Sequence, residues 1–360
     1  MIIIDGSHGE GGGQIVRTAI AFSIVTQMPV TVNNIRAGRR VPGLKNQHLH
    51  AILALGNYAN VEHAYLGSTS ITCHPTSLVT DETIVVDVKT AGSITLVLQT
   101  MLLPILFSNL SSVQLLIKGG TDVQWSPSID YFKYILLPAI SPICDCSIQI
   151  LRRGYSAKGG GEVLLDITPL GEFDMYKSYG HPMNLSSTTN ADVDLIDIYV
   201  SGSNNIQRNE TLEKVANITQ QLLKESTFCT QSTVINQVVS YTDSTSNGSS
   251  ILLKAHKGSH AKLAGSYLME KKREPLEIAA KLAIDNLRKE IESDAFVDEY
   301  LSDQLLPFLA LTGGSLRVRE ISDHFKSNCY VLQAFLPSLK IDIQDNVVHI
   351  THSPPLNPFH

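Results

Sequence analysis

A short apolar strand, Met1 to Ile4, runs into Asp5-Gly6-Ser7-His8-Gly9-Glu10-Gly11-Gly12-Gly13-Gln14 and then into a helix-like run, Ile15 to Val25. Five glycines between Gly6 and Gly13 let the backbone take positive φ and approach a ligand closely. Uncapped N–H groups at the start of the helix attract anions. Glu10 is out of place in a loop that only binds anions, because its carboxylate repels a phosphate unless a cation sits between them. The loop therefore suggests a metal-assisted phosphate site. Glycine-rich corners also turn without any ligand, so the loop alone leaves both readings open. It is not a Walker A loop, because no Gly-Lys-Ser/Thr follows. Nor does it complete a dinucleotide fingerprint, since the acidic residue expected about 20 residues on is missing. That region reads Asn33-Asn34-Ile35-Arg36-Ala37-Gly38-Arg39-Arg40.

Those arginines matter because the whole chain carries a net charge of −6, which repels nucleic acid. A nucleic-acid partner needs a local basic patch, and Arg36, Arg39, Arg40 and Lys45, with Arg17 upstream, form the candidate. The alternative is a set of surface arginines in a polar loop. With 360 residues, 43% hydrophobic and 17% charged, the chain can build a sizeable core and about two domains. The five cysteines share no repeated spacing, and Cys144-Asp145-Cys146 lacks the second pair that a zinc site needs. The longest apolar run, Ile94 to Phe107, is short and is interrupted by Thr95, Gln99, Thr100 and Pro104, so no membrane span is expected. No leader-like stretch precedes the first strand, and the expected location is the cytoplasm.

Strand and helix patterns alternate. Strands are expected at Met1–Ile4, Val30–Ile35, Ala64–Leu66, Ser70–Cys73, Ile84–Val88, Ser112–Lys118, Ser147–Leu151 and Glu162–Ile167. Helices are expected at Ile15–Val25, Gln47–Tyr58, from Ser93 onward, and at Ile129–Leu137. A second glycine triplet, Gly159-Gly160-Gly161, and the pairs Gly119-Gly120 and Gly313-Gly314 lie beside comparable strands. A repeated βαβαββ unit of roughly 80 residues fits this spacing. Between about Gly171 and Gly258 the texture changes. Segments rich in Ser, Thr and Asn bracket a strand (Val193–Val200), an amphipathic helix (Leu212–Lys224) and a strand (Val234–Val239), which suggests a small inserted domain. A long helix, Pro275–Lys289, follows, with Leu276, Ala279, Ala280, Leu282, Ala283 and Leu287 on one face. The expected division is a repeat-built domain over 1–183 and 271–345, an insert over 184–270, and a tail over 346–360.

Among the histidines, His324 stands out in Ser322-Asp323-His324-Phe325-Lys326-Ser327-Asn328. A neutral histidine held in one tautomer can accept a phosphoryl or nucleotidyl group. A satisfied structural histidine is the plainer reading. His256 and His260 sit with lysines in a stretch read as a polar loop. Gln47-His48 opens a helix beside the arginines, where donors can surround a phosphate and Arg39 can clamp it bidentately. Tyr300, Asp303 and Gln304 share one face or edge of a helix.

Taken together these segments resemble the RNA 3′-terminal phosphate cyclases. The resemblance rests on Gly9 to Gln14 with Arg17, Ile35 to Arg39, Pro42-Gly43-Leu44 and Gln47-His48-Leu49. It continues through Ala91-Gly92-Ser93, Leu96 to Thr100, Gly119 to Asp122, Arg153-Gly154 and Gly159 to Gly161, and ends with Glu299 to Gln304 and His324 to Asn328. Motif order is kept over nearly the whole chain, and the likeness is weakest in the insert.

The resemblance implies an α/β (α+β) fold of three βαβαββ repeats around a pseudo-threefold axis, with a smaller inserted α/β domain. It implies ATP-dependent conversion of an RNA 3′-terminal phosphate to a 2′,3′-cyclic phosphate, through an enzyme–AMP adduct on a histidine, with release of AMP and pyrophosphate. Placed on this chain, His324 would be the nucleophile and Glu10 the ligand of a divalent metal, magnesium or manganese. Arg17, Arg36, Arg39, Gln47 and His48 would surround the triphosphate and the RNA end. Gln99, Tyr300, Asp303 and Gln304 would contact the nucleotide, and Pro127 and Phe132 would wall the adenine. The resemblance leaves open whether the chain pairs as a homodimer. Val123-Gln124-Trp125-Ser126 and Ser156-Ala157-Lys158 depart from the family's wording without removing a catalytic residue. Two other readings share parts of the pattern. One is a non-catalytic cyclase relative acting in ribosome assembly, which would lack the nucleophile. The other is an enolpyruvyl transferase on similar repeats, which would need no adenylylated histidine.

Overall fold

The computed structural model describes the chain apart from residues 109, 157, 170–182, 188–191, 259–261, 270–273 and 353–360. The first sheet is built from β1 (Ile2–Asp5), α1 (Gly13–Thr26), β2 (Val30–Asn33), α2 (Asn46–Ala54), β3 (Ala59–Glu62) and β4 (Ile71–Pro75). Its strands lie in the order β1-β2-β4-β3, with β1 and β2 parallel and the other neighbours antiparallel. A parallel pair needs a crossover, and α1 supplies it. β5 (Thr83–Asp87), α3 (Ile94–Leu106), β6 (Val113–Gly119), β7 (Cys144–Arg152) and β8 (Gly161–Pro169) repeat that order and those pairing senses. Between β6 and β7 the chain is helical through α4 (Ile129–Tyr131), a widened turn at Phe132–Leu136, and α5 (Leu137–Ile140). Pro138 has no N–H to give the preceding turn, and the widening lies directly before it.

The third sheet begins with β9 (Met183–Leu185), and a fourth sheet intervenes before it closes. That fourth sheet contains β10 (Val193–Ser203), β11 (Val234–Thr242), β12 (Ser249–Lys257) and β13 (Leu263–Met269), in the order β11-β10-β12-β13. α6 (Thr211–Lys224) packs on β10 and β11, and α7 (Leu276–Glu292) packs on β12 and β13. The third sheet then resumes with α8 (Glu299–Thr312), β14 (Gly314–Arg317), α9 (Asp323–Phe335), β15 (Leu339–Gln344) and β16 (Val347–His352). It follows the same plan again, β9-β14-β16-β15, with β9 and β14 parallel and the rest antiparallel.

Strand patterning follows the two-residue period: Val113, Leu115 and Ile117 of β6 point inward while Gln114 is exposed. Helix α1 is different. It is buried continuously from Ile15 to Thr26 and packs on α2, α3, α9, β2 and β4, as a helix apolar on all sides must. Every residue of α3 is buried except Gln99.

Several expectations are corrected. The strand expected at Ala64–Leu66 is instead Ala59–Glu62. His63 takes φ +61 and turns the chain, leaving Tyr65 and Leu66 exposed. Helix α2 stops at Ala54 rather than Tyr58, with turns at Leu55 and Gly56. Leu282 of α7 faces outward, and Ile284 takes its place in the buried stripe. His256 lies in β12, where its Nε2 is 2.8 Å from Asp197 Oδ2, rather than in a loop; His260 lies outside the described residues. Residue 184 falls inside β9, and residue 346 in the turn between β15 and β16. β9 pairs with β14, and Val347–His352 is a strand between β14 and β15.

The second and fourth sheets are joined by buried charge. Arg153 Nη1 meets Asp122 Oδ2 at 3.0 Å and Nη2 meets Asp130 Oδ1 at 2.6 Å, all three side chains being almost fully buried. Ser250 of β12 donates to the other Asp122 oxygen at 3.2 Å, and Arg153 N–H donates to the Asp243 carbonyl at 2.9 Å. Burial pushes the Asp122 carboxyl up, against the pull of Arg153. Removing one partner strands the others without solvation. Arg153→Ala is expected to cost about 3–5 kcal/mol, read as a lowered midpoint in denaturant unfolding; a shift no larger than that of a surface substitution would show that the cluster holds nothing together.

Candidate active site

The glycine loop is fixed by its backbone before any side chain acts. Gly6 N–H donates to the Asn33 carbonyl at 2.7 Å, and Gly9 and Gly11 both take φ +57, the left-handed region glycine tolerates. Asp5 Oδ1 accepts from the Ser7 N–H at 3.0 Å and the Ser7 hydroxyl at 2.7 Å, bonds that lower its carboxyl from the ordinary value. Helix α1 then starts at Gly12 with no side-chain cap and no acidic residue in its first turn. Its leading N–H groups therefore have no protein anion to meet. At Gly13 a Cβ would come within 2.0 Å of His48 Nε2, so only glycine fits.

Glu10 bridges two groups drawn from distant sequence. One carboxylate oxygen pairs with Arg39, and the other lies 3.1 Å from His324 Nδ1. His324 sits in the first turn of α9, which Ser322 caps by accepting the Phe325 N–H at 3.0 Å. Its ring is exposed. Its pKa is lowered by enclosure in the site and then by Arg17 and Arg39; Glu299 and Asp323 pull the other way without reversing it. Glu10, whose charge Arg39 already engages, does not reverse it either. A neutral ring that donates Nδ1–H to Glu10 keeps its lone pair on Nε2.

A second group of side chains converges from α1, α3, α8 and α9. The Arg17 guanidinium donates to Gln14 Oε1, and Gln14 Nε2 donates to Asn328 Oδ1 at 3.2 Å. Asn328 also accepts from Thr18 at 2.8 Å and donates to the Asp303 carbonyl at 2.9 Å. Gln99 Nε2 donates to Gln304 Oε1 at 2.7 Å, and Gln304 Nε2 to the Tyr300 carbonyl at 2.6 Å. Gln14, Arg17, Thr18, Gln99 and Gln304 line one cleft with Phe308. Burial lowers Arg17 to about 10, partly opposed by Asp303. Burial raises Asp303, which Arg17 opposes.

Tyr300 is placed from below. Asp298 caps α8 by accepting the Leu301 N–H at 3.0 Å, and the buried Tyr131 hydroxyl donates to the same oxygen at 2.5 Å. The Tyr131 ring meets Tyr300 edge-on, with centroids 6.4 Å apart, and Tyr300 remains exposed. Burial raises Asp298 to about 7.

The structure thus brings Glu10, Arg39 and His324 together, and separately Arg17, Gln99, Asp303 and Gln304 with Tyr300. Other expected residues stand differently. Arg36 is buried, in a left-handed conformation, and donates to the Gly43 carbonyl at 3.2 Å, so it braces its own loop. Gln47 is half-buried against the Gly92 turn, where an added Cβ would lie 3.2 Å from Gln47 Cβ. His48 is buried beneath the loop, and its Nδ1 accepts the Lys45 N–H at 3.2 Å. Pro127 is half-buried, and its carbonyl accepts from Thr95 at 2.8 Å. Phe132 has its ring fully inside the core. Asn328, Thr18, Asp298 and Tyr131 were not singled out as site residues. Asp298 carried the one available signal, an aspartate just before a helix with Glu299 in its first turn.

Among the described residues no three His, Cys, Asp or Glu side chains gather as a metal-holding set. Of the two loop carboxylates, Asp5 is held by Ser7 and Asn34, and both oxygens of Glu10 are engaged by Arg39 and His324. Among the described residues no helix is long and apolar enough to cross a membrane.

A family model described as RNA 3′-terminal phosphate cyclase matches residues 8–342. The chain is similar to the RNA 3′-terminal phosphate cyclase of Pyrococcus furiosus, at 40% identity over 347 residues, covering 93% of each chain. It is similar to that of Archaeoglobus fulgidus at 38% over 342 residues, covering 93% of this chain and 96% of the relative. The protein of the same name from Methanococcoides burtonii is 38% identical over 358 residues, covering 98% of this chain and 99% of the relative.

His48 makes the loop sensitive to acid. Burial first, then Arg17, Arg36 and Lys45, lowers its pKa from 6.5 to about 3. Between those values the unfolded chain binds a proton that the folded one does not. Stability is therefore held above pH 6.5 and lost as pH falls toward 3, with a slope of up to about 1.4 kcal/mol per pH unit. Denaturation midpoints followed from neutral to acid pH should fall less steeply in His48→Gln; equal slopes would show that His48 is not the buried base responsible.

Proposed function

The chain belongs to the RNA 3′-terminal phosphate cyclase family, and from that premise we propose that it uses ATP to close an RNA 3′-terminal phosphate into a 2′,3′-cyclic phosphate. His324 Nε2 attacks the α-phosphorus of ATP; an N–P bond forms as the bond to pyrophosphate breaks. A terminal phosphate oxygen of the RNA then takes the AMP from His324. The adjacent ribose 2′-OH attacks the activated phosphorus, loses its proton and expels AMP. The last step needs no protein nucleophile, because the attacking hydroxyl is already tethered beside its target.

The observation that carries this reading is the contact between Glu10 and His324 Nδ1, at 3.1 Å. It leaves Nε2 with the lone pair that nucleophilic attack requires, and the depressed pKa keeps the ring neutral near pH 7. Arg39 and Arg17 supply positive charge for the triphosphate and the RNA terminal phosphate, with the uncapped start of α1 between them. Gln47 and Arg36 act from behind, by shaping the loops. Tyr300, Asp303, Gln304, Gln99 and Pro127 would hold the nucleotide. A divalent metal, magnesium or manganese, would neutralise triphosphate charge on entering with ATP, and a Glu10 carboxylate oxygen would be its protein ligand.

Incubation with α-labelled ATP and a divalent metal should leave acid-labile, base-stable label on the protein, and His324→Ala should abolish it. An unlabelled wild-type protein, or undiminished label on His324→Ala, would overturn the mechanism. Labelling should be level above pH 6.5 and fall below the lowered histidine pKa, since only the neutral ring attacks. Glu10→Ala should slow labelling on the order of 100-fold and raise the metal concentration needed. An unchanged metal titration in that variant would count against Glu10 as the metal's protein ligand.

A further inference from the structure

One aromatic pair, between the glycine loop and α9, has no part in the chemistry above. His8, in the glycine loop, stacks on Tyr330 of α9 with ring centroids 3.9 Å apart and planes inclined by 17°. Tyr330 is anchored: its hydroxyl accepts the Asp5 N–H at 3.0 Å. His8 is exposed, so Tyr330 covers one side of the imidazole while the residue itself stays open to solvent. The pair is tied to the reacting centre from both ends. His8 lies two residues before Glu10, and Tyr330 lies on the helix that carries His324.

The loop does not need this ring to hold its shape. The His8 N–H donates to the Asp5 carbonyl at 3.2 Å and its carbonyl accepts the Gly11 N–H at 3.0 Å, bonds that any residue at position 8 would keep. Asp5 is further held by Ser7 and Asn34. An exposed, pre-stacked aromatic pair at the edge of a site that handles a nucleic-acid end has the form of a base platform. Bases of single strands stack on aromatic side chains with little regard to sequence, because every base has a π-face. The geometry also fits the substrate: a terminal nucleotide whose 3′-phosphate reaches His324 carries its base one sugar away. His8 is held on the same loop as Glu10, whose carboxylate lies 3.1 Å from His324 Nδ1. The nucleotide-facing residues Tyr300, Gln99 and Gln304 belong to other helices, α8 and α3, so the platform is separate from the place proposed for the adenine.

Resting on the cyclase reading for the identity of the substrate, we infer that the His8–Tyr330 pair is a stacking platform for the nucleobase at the RNA 3′ end. It registers that a base is present without choosing which one.

The test measures binding of a short fluorescent oligoribonucleotide ending in a 3′-phosphate, alongside labelling by α-labelled ATP without RNA. His8→Ala should bind the RNA about tenfold more weakly, the effect of losing one base stack. His8→Phe should restore binding, since it keeps a ring. An oligonucleotide whose terminal residue is abasic should bind wild type and His8→Ala alike, and all four terminal bases should bind wild type within a few-fold of one another. Labelling by ATP should be the same in His8→Ala as in wild type. Equal RNA binding by wild type and His8→Ala, failure of His8→Phe to rescue, or the same tenfold loss with the abasic end would each overturn the platform. A loss of ATP labelling in His8→Ala matching the loss of RNA binding would overturn it in favour of a loop-shaping role. Wild-type protein that takes no label, yet still loses base-dependent binding on His8→Ala, would sink the adenylylation chemistry and leave the platform standing.

Discussion

The start of α1 has no room to spare. Residue 13 lies so close to the buried His48 ring that any Cβ would collide with it, and from Ile15 to Thr26 the helix is enclosed on every side. A helix packed against α2, α3 and α9 at once cannot shift without disturbing all of them. The glycine loop before it therefore has a fixed exit, and its entry is fixed by β1. Between those two ends Glu10 is presented to Arg39 from one side and His324 from the other. The conformational freedom of glycine is used here to reach a single shape.

The same packing sets the electrostatics. Arg17 and Asp303 are drawn into low-dielectric surroundings, which depress the guanidinium and raise the carboxyl despite their attraction. His48 is kept neutral as a supporting group, and His324, more open, is held neutral by milder versions of the same forces. Uncharged amides make the connections. Gln14 and Asn328 join α1 to α9 and α8, and Gln99 joins α3 to α8. Amide pairs fix distances between helices without the solvation penalty of buried ions.

Ions are buried elsewhere, where elements from distant parts of the chain meet. The Arg153 cluster ties the second sheet to β12 of the intervening sheet through Ser250. Around α8, Arg319 joins Glu290 of α7, at 2.9 Å, to Glu299 of α8. Asp298 and Tyr131 then carry that order to Tyr300. The intervening sheet is thus part of the frame that positions α8.

Much of this was legible in the residues. The period-two and all-apolar segments located most strands and helices of the first two sheets, and the spaced glycine pairs pointed to a repeated plan. Glu10, Arg39 and His324 were each legible by type and surroundings. What escaped were the three-residue strand β9, the strand β16 after the turn at Asp345-Asn346, and the residues whose roles exist only in contact: Thr18, Asn328, Asp298 and Tyr131. The sequence by itself determined local conformation: where glycines cluster before a helix, which helical segments are strongly apolar, and which strands alternate between core and solvent. The tertiary structure alone decided that Glu10 faces His324 Nδ1 across more than 300 residues, and that Arg36 and His48 hydrogen-bond to the loop backbone at Gly43 and Lys45. Local propensity acts over a few residues, whereas burial, tautomer and charge state depend on which distant surfaces the fold presses together.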